Sequence, residues 1–248
     1  MRKLLYLLLA SFVIYSCEKD ETEGINDLKK LIQPLEVGYN WTFIDSTFDN
    51  EGTLTKVDTS TVSVIGSEIV NYDGKQIELF FWKWDFYERI WLYVNEEENL
   101  YKYGLRDDNK NYIITQSLNQ PYPVNIGDTW SSYHFNLQVE NDTTFGVIRD
   151  TTEYECIYKD YTLNTKIGNL ECIVKHTSDD LGERYIYYSP NIGYVGLENR
   201  VDGIIRFKKT LMNYDFSRKQ DLSKVMKSAQ RESKKNLHLD NFGLKINE

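Results

Sequence analysis

Cysteine is the residue type whose chemistry is most sharply set by position in this sequence, and the first of three cysteines, Cys17, directly follows an apolar segment. Arg2 and Lys3 precede the apolar run Leu4–Tyr15, which has the length of a signal-peptide core and is well short of the ~20 residues that span a bilayer. We therefore predict that residues 1–16 are a signal peptide. Cys17 is then either the site of a lipid attachment or a residue that merely lies near an ordinary secretory cleavage site.

The residues around Cys17 favour lipid attachment. Residues 14–17 (IYSC) resemble the lipobox of bacterial lipoproteins, with an aliphatic residue three positions before the cysteine and a small residue directly before it. Residues 18–21 (EKDE) resemble the acidic stretch that follows the lipidated cysteine in surface-exposed lipoproteins of Bacteroidetes. The resemblance implies lipidation of Cys17, an anchor in the bacterial outer membrane, and display on the cell surface. A charged run at this position is otherwise a solvated tether.

Cys156 and Cys172 remain as an even pair, and an exported protein meets conditions in which disulfides form. They bracket residues 157–171, for which the pattern predicts a hairpin. A bridge that closes this loop would stabilise the fold by about 3 kcal/mol. The alternative is two buried thiols that pack as small apolar side chains. The separation of the two Cα atoms decides between these possibilities.

The other reactive side chains form no recognisable catalytic or metal-binding pattern. The histidines, His134, His176 and His238, have no zinc-site spacing with one another or with a cysteine. The sequence has no Gly-x-Ser-x-Gly motif, and among 38 acidic residues a carboxylate pair such as Glu78 and Asp85 is expected by chance. We predict no catalytic residue, no metal site and no cofactor. A hydrolase with dispersed carboxylates is the less favoured alternative.

The chain is acidic, with a formal net charge of −9, and removal of residues 1–17 takes away two basic residues and no acidic one. Binding to nucleic acid requires a concentrated positive surface, so we predict no nucleic-acid partner. The predicted partners are the membrane, through the N-terminal lipid, and a glycan, lipid or protein ligand.

Three aromatic residues could bind such a ligand. Trp82, Trp84 and Phe86 alternate along a predicted strand and therefore lie on one face of it. Rings that alternate in this way can form a platform on which sugar rings or aliphatic chains stack. The alternative is that they pack in the core, where large aromatic side chains contribute most of the buried area.

A β-sheet must position these residues. Hydrophobic residues make up 41% of the chain and aromatic residues 14%, with 19 tyrosines and 4 prolines. Aromatic and β-branched side chains suit the pleated surface of a sheet. We predict a mainly antiparallel β protein, built as a curved sheet, an open barrel or a sandwich. Residues 218–235 have the apolar periodicity of a short amphipathic helix, within a basic C-terminal tail over residues 212–248.

A repeat divides the predicted sheet. Residues 34–41 (PLEVGYNW) recur as residues 123–130 (PVNIGDTW), with proline, glycine and tryptophan at matching positions. Proline ends the preceding segment, glycine permits a tight turn, and tryptophan opens a strand that faces inward. We predict two related units, residues 34–120 and 121–211, that follow a flexible tether over residues 17–33.

The repeated motif and a late NIGYV segment at residues 191–195 resemble uncharacterised secreted lipoproteins of Bacteroidetes. The resemblance implies a β-rich envelope protein and brings no catalytic residues. We predict a lipid-anchored envelope protein with a non-enzymatic binding or structural role. A glycan- or lipid-binding module that uses the aromatic platform is the alternative.

Overall fold

Twelve antiparallel strands form a single sheet in the computed structural model, which describes residues 31–107 and 110–216. All twelve strands lie between Asn40 and Asp215. The prediction of a mainly antiparallel β fold is confirmed. The strands are β1 (Asn40–Phe48), β2 (Leu54–Tyr72), β3 (Lys75–Trp84), β4 (Ile90–Glu96), β5 (Asn99–Asp107), β6 (Lys110–Gln120), β7 (Thr129–Glu140), β8 (Thr143–Thr165), β9 (Gly168–Asp179), β10 (Gly182–Ser189), β11 (Gly193–Val201) and β12 (Ile204–Asp215).

The sheet curls into a nearly closed barrel. Its strand order is β6-β5-β4-β3-β2-β1-β12-β11-β10-β9-β8-β7, so that β1 joins β12 in the middle and β6 and β7 are the two ends. The ends meet through side chains: the Ser117 hydroxyl lies 3.3 Å from that of Ser132 and accepts a 2.7 Å hydrogen bond from the backbone N–H of Tyr133. These contacts cover part of each sheet edge, which reduces the exposed template for strand pairing.

Tight hairpins connect most neighbouring strands. The turns Asp73-Gly74 and Asp202-Gly203 both have two residues with positive φ, between 50° and 77°. This is the geometry of a type I′ turn, whose twist matches that of the flanking strands. The Asp-Gly pair thus makes the meander possible in each half of the barrel.

The repeated motif has the same backbone geometry in both copies. Gly38, with φ of 102°, donates its N–H to the carbonyl of Val64 at 2.8 Å, and Gly127, with φ of 88°, donates to the carbonyl of Cys156 at 2.8 Å. Each copy leads into the first of six consecutive strands, β1 to β6 and β7 to β12. That the two halves arose from one duplicated unit stays a prediction. In the structure, both halves belong to a single sheet.

Aromatic and aliphatic side chains fill the sheet on both faces. One cluster contains Trp41, Phe43 and Trp82, and a second contains Trp130 and the residues packed around it. A third lies around Phe81, the neighbour of Trp82 on β3, whose side chain points to the opposite face. Strand β3 is therefore covered on both sides, as its continuous apolar sequence indicates.

Two packed segments extend beyond the predicted boundaries. Ile32 and Gln33, at the end of the predicted tether over residues 17–33, are 0% and 1% exposed. Strand β12 continues to Asp215, into the predicted tail, because its last residues pair with the start of β1. The predicted signal peptide, Cys17 and the helix over residues 218–235 lie outside the described residues.

Candidate ligand-binding cavity

Trp82 is a core residue. Its side chain is 6% exposed, and its ring centroid lies 4.8 Å from that of Trp41 and 5.7 Å from that of Tyr93. Val64 pairs with it on the neighbouring strand β2. Trp82 therefore packs in the core, which is the alternative considered for the three aromatic residues. It is not accessible to a ligand from outside the barrel.

Trp84 and Phe86 extend the row of rings toward the surface. The ring centroid of Trp84 lies 5.6 Å from that of Phe43 and 5.5 Å from that of Phe86. Phe86 follows the end of β3 and is 44% exposed, whereas Trp84 is half-buried. The three residues thus form a row from the core to the rim, and the structure contains no open three-ring platform on them.

A cavity of about 80 Å³ lies against this row inside the barrel. Its wall combines aromatic rings with two side-chain amides and one aliphatic side chain, which is the composition typical of small-molecule sites. The residues come from the segment before β1 and from strands on both halves of the sheet. They are Gln33, Trp82, Trp84, Tyr93, Leu100, Asn119, Tyr188 and Tyr194.

Hydrogen bonds hold the polar wall of the cavity in place. The side-chain oxygen of Gln33 accepts a 2.8 Å hydrogen bond from the backbone N–H of Tyr194. The amide nitrogen of Asn119 donates to the hydroxyl of Tyr188 at 2.9 Å. A Cβ on Gly193 would lie 2.3 Å from the Gln33 amide, so glycine at this position leaves the space that Gln33 occupies.

Lys175 lies beside the cavity and is 2% exposed. Its Nζ donates a 2.6 Å hydrogen bond to the backbone carbonyl of Asn119 and lies over the rings of Tyr154 and Tyr188, 4.3 and 5.3 Å from their centroids. Burial lowers the pKa of Lys175 well below its ordinary value, and the nearby charges of Lys102 and Arg184 lower the pKa further.

Lys102 is a second buried lysine on the same side of the barrel. It is 6% exposed, and its Nζ lies 5.2 Å from the ring centroid of Trp91 and 5.1 Å from that of Phe135. Burial lowers the pKa of Lys102 to about 8, against the opposing effect of Asp150. Burial also lowers the pKa of His134 to about 4, and the charge of Lys102 contributes to this shift.

A third buried lysine, Lys209, has a carboxylate partner that balances its charge. Its Nζ donates to both carboxylate oxygens of Asp45, at 2.6 and 2.7 Å, and to the hydroxyl of Ser60. It also lies 4.6 Å from the ring centroid of Trp84. In the described part of the chain, no carboxylate lies within 4 Å of the ammonium groups of Lys102 or Lys175.

Cys156 and Cys172 are free, buried thiols, so the disulfide considered above is not formed in the structure. Cys156 packs with the second cluster and Cys172 with the first. Burial raises the pKa of both thiols, that of Cys172 to about 12, which disfavours the reactive thiolate.

The acidic pair Glu78 and Asp85 is not brought together. The two residues are seven positions apart on and just after β3, which corresponds to about 20 Å at the rise of a strand. Glycosidase carboxylates lie about 5 to 10 Å apart. Over residues 31–107 and 110–216, no three histidine, cysteine or acidic side chains are grouped closely enough to hold a metal ion.

Lys102, Lys175 and Gln33 carry no signal in the sequence that identifies them as site residues. Lys175 directly follows the apolar residues Cys172, Ile173 and Val174, and this position at the end of an apolar run is the one feature that could have indicated a buried charge. Gln33 precedes the repeated motif and carries no pattern of its own. Its role depends on contact with a residue 161 positions away in sequence.

Comparison with known proteins identifies no family for this chain. No family model matches it, and no curated protein matches it. Two solved structures are similar: a protein from Bacteroides fragilis described as exported and as having a YmcC-like fold, and a protein from Parabacteroides distasonis described as a lipoprotein. Both proteins are 14% identical to this chain, and each alignment covers 75% of this chain and 99% of the other. The TM-score is 0.41 for the Bacteroides fragilis protein and 0.34 for the Parabacteroides distasonis protein. At these scores neither likeness carries an argument about this chain.

No helix in the described residues is long and apolar enough to cross a membrane.

Proposed function

We propose that this chain is a lipid-anchored protein of the bacterial outer membrane whose barrel binds a small ligand, or one end of a larger ligand, without a catalytic step. The observation that carries the proposal is the cavity of about 80 Å³, where rings such as Trp82 and Tyr194 meet the amides of Gln33 and Asn119. Rings supply apolar contact area, and amides fix the orientation of a bound molecule.

The anchor is supported by the sequence at its N-terminus. A basic start, an apolar run of signal-peptide length and the IYSC motif place Cys17 where lipoproteins carry their lipid. The acidic residues after Cys17 support display on the cell surface. The anchored barrel would then hold its ligand at the cell envelope.

Metabolic labelling tests the anchor. Cells that express the full-length chain should incorporate labelled palmitate into it, and Cys17→Ala should abolish the label, because the thiol is the attachment atom. Cys156→Ala is the matched control and should label normally. Palmitate labelling of the Cys17→Ala variant would contradict the proposal.

A cavity-filling substitution tests the binding role. Leu100 lines the cavity and is 2% exposed, so Leu100→Phe should fill the space and abolish the binding of small probes. Saturation-transfer NMR with short oligosaccharides and with short-chain alcohols would show which class binds. Leu54→Phe is the control, because Leu54 is 52% exposed on β2.

If Leu100→Phe bound the probes as well as the wild type, the cavity would not be the binding site. Circular dichroism of both variants would verify that the fold is retained. A preference for oligosaccharides would assign the ring-lined wall to sugar stacking, and a preference for alcohols would assign it to aliphatic chains.

A further inference from the structure

We propose that the cavity binds an anionic group of its ligand, a carboxylate, phosphate or sulfate, at the ammonium group of Lys175. This proposal rests on the binding function proposed above and names the chemistry of the ligand. It also accounts for a basic cluster inside an acidic protein, whose 38 acidic residues exceed its 29 basic ones.

Lys175 has donors to spare. A lysine ammonium has three N–H donors, and the hydrogen bond to the Asn119 carbonyl uses one of them. The other nearby groups are the aromatic faces of Trp130, Tyr154 and Tyr188, which attract the charge but accept no ordinary hydrogen bond. Lys175 therefore keeps the capacity to bind an oxyanion.

The cations around Lys175 outnumber the acids. The charges of Lys102 and Arg184 act on Lys175, and the same three cations act on His134. Asp150 is the acid that acts on Lys102 and His134, and its side chain is exposed to solvent. Burial and these cations lower the pKa of Lys175, and an anion placed beside it would favour the ammonium form and offset the cost of burying its charge.

The cationic cluster and the cavity share wall residues. Asn119 and Tyr188 line the cavity and also contact the ammonium of Lys175. Lys102 pairs in the ladder with Tyr93, another cavity residue. A ligand in the cavity could thus place its apolar part against Trp82 and Tyr194 and direct its acidic group toward Lys175.

The contrast with Lys209 supports this assignment. Lys209 is equally buried, and its ammonium is matched by the two oxygens of Asp45. The same barrel thus contains one buried lysine whose carboxylate is built in and two whose carboxylate is absent from the described residues. A ligand anion would supply at Lys175 what Asp45 supplies at Lys209.

A matched pair of probes tests the proposal. Benzoate and benzamide have nearly the same shape, and benzoate carries the charge. Equilibrium dialysis of the full-length protein in neutral detergent, with empty micelles as the blank, should show benzoate bound more tightly than benzamide by about tenfold or more, since a charged acceptor strengthens the hydrogen bond to an ammonium. Inorganic phosphate is the third probe, followed by the NMR signal of the Lys175 side chain.

Lys175→Met is the diagnostic variant, because replacement of a buried charge by an apolar side chain of similar size is often neutral or stabilising. It should weaken benzoate about tenfold and leave benzamide within about twofold. Lys166→Met removes an exposed lysine in the turn between β8 and β9 and should change neither. Lys102→Met provides a second variant if the first fails to fold, as judged by its thermal unfolding.

The outcomes separate this proposal from the one on which it rests. Equal binding of benzoate and benzamide, or unchanged benzoate binding by Lys175→Met, would overturn the anion site and leave a binding cavity. Binding of phosphate alone, with a shift of the Lys175 signal, would retain the anion site for a free anion and overturn the aromatic cavity. If none of the three probes bound, both proposals would fall.

Discussion

The two halves of the barrel use one equivalent position in opposite ways. Val64 and Cys156 accept the same hydrogen bond from the repeated glycine turn, and their partners on the next strand are Trp82 and Lys175, respectively. In the first half, Trp82 packs on Trp41, the tryptophan of the repeat. In the second half, Lys175 lies over Trp130, the tryptophan of the second copy.

This difference suggests different roles for the two residues: Trp82 stabilises the fold, and Lys175 serves ligand binding. A tryptophan at the position of Trp82 buries a large apolar side chain, which contributes strongly to folding. A lysine at the position of Lys175 incurs a desolvation penalty and contributes a charge that the fold itself does not need. At this position the first half therefore contributes a wall residue of the cavity, Trp82, and the second half contributes Lys175 beside the cavity.

Truncation of the tryptophan should have the largest effect. Trp82→Ala should lower the free energy of unfolding by about 3 to 5 kcal/mol, because it removes a buried ring and leaves a cavity beside Trp41. Urea denaturation measures the change. A loss below about 1 kcal/mol would show that the first half does not depend on this ring.

Acid should destabilise the second half through His134. Its pKa is about 4 in the folded protein and about 6.5 in the unfolded chain, so the unfolded chain binds more protons between these values. The free energy of unfolding should therefore fall as the pH decreases from 6.5 to 4, by up to about 3 kcal/mol. Denaturation over this range measures the slope.

Several carboxylates titrate in the same range, so His134→Gln is needed for comparison. The variant should lose less stability than the wild type between pH 6.5 and 4, because it has no imidazole to protonate beside Lys102. Equal slopes would contradict a buried, cation-facing His134.

A third prediction concerns the segments that precede the two repeats. Before the first repeat, the side-chain oxygen of Gln33 accepts a hydrogen bond from the backbone N–H of Tyr194 near the start of β11. Before the second repeat, the backbone N–H of Tyr122 donates a hydrogen bond to the side chain of Asn99 at the start of β5. Gly193 makes room for Gln33. Gly193→Ala should cost about 2 kcal/mol, because φ is 95° and the new Cβ would overlap the Gln33 amide.

Gly203→Ala is the control for this prediction. Gly203 has φ of 75°, and a Cβ added there would meet no heavy atom within 4 Å, so only the backbone penalty of about 1 kcal/mol applies. Equal losses for the two variants would show that contact with Gln33 contributes nothing at Gly193.

The smallest effect is expected at the position that matches Trp82. Lys175→Met should change the free energy of unfolding by less than about 1 kcal/mol or increase it, because a buried charge without a carboxylate partner is removed. Thermal and urea unfolding measure the change. A loss comparable to that of Trp82→Ala would show that Lys175 is structural, which would end the contrast between the halves.

Much of the fold could be predicted from sequence, and little of the site could. The Asp-Gly turns, the alternation of apolar residues and the repeated motif are local patterns, and each corresponds to a strand or turn of the barrel. Alternation correctly places Trp82 and Trp84 on one face of β3, and Phe86 continues the row beyond the end of this strand. It does not say which side of a strand is buried, so Trp82 could equally have faced solvent.

The sequence by itself determined the antiparallel strands of the barrel and several of their turns. The tertiary structure decided which residues meet. Only closure of the sheet brings Gln33 to Tyr194 and Asn119 to Lys175, because these contacts join residues far apart in the chain. Burial, and with it the altered pKa of Lys175, depends on neighbours from several strands, and no local pattern of residues contains that information.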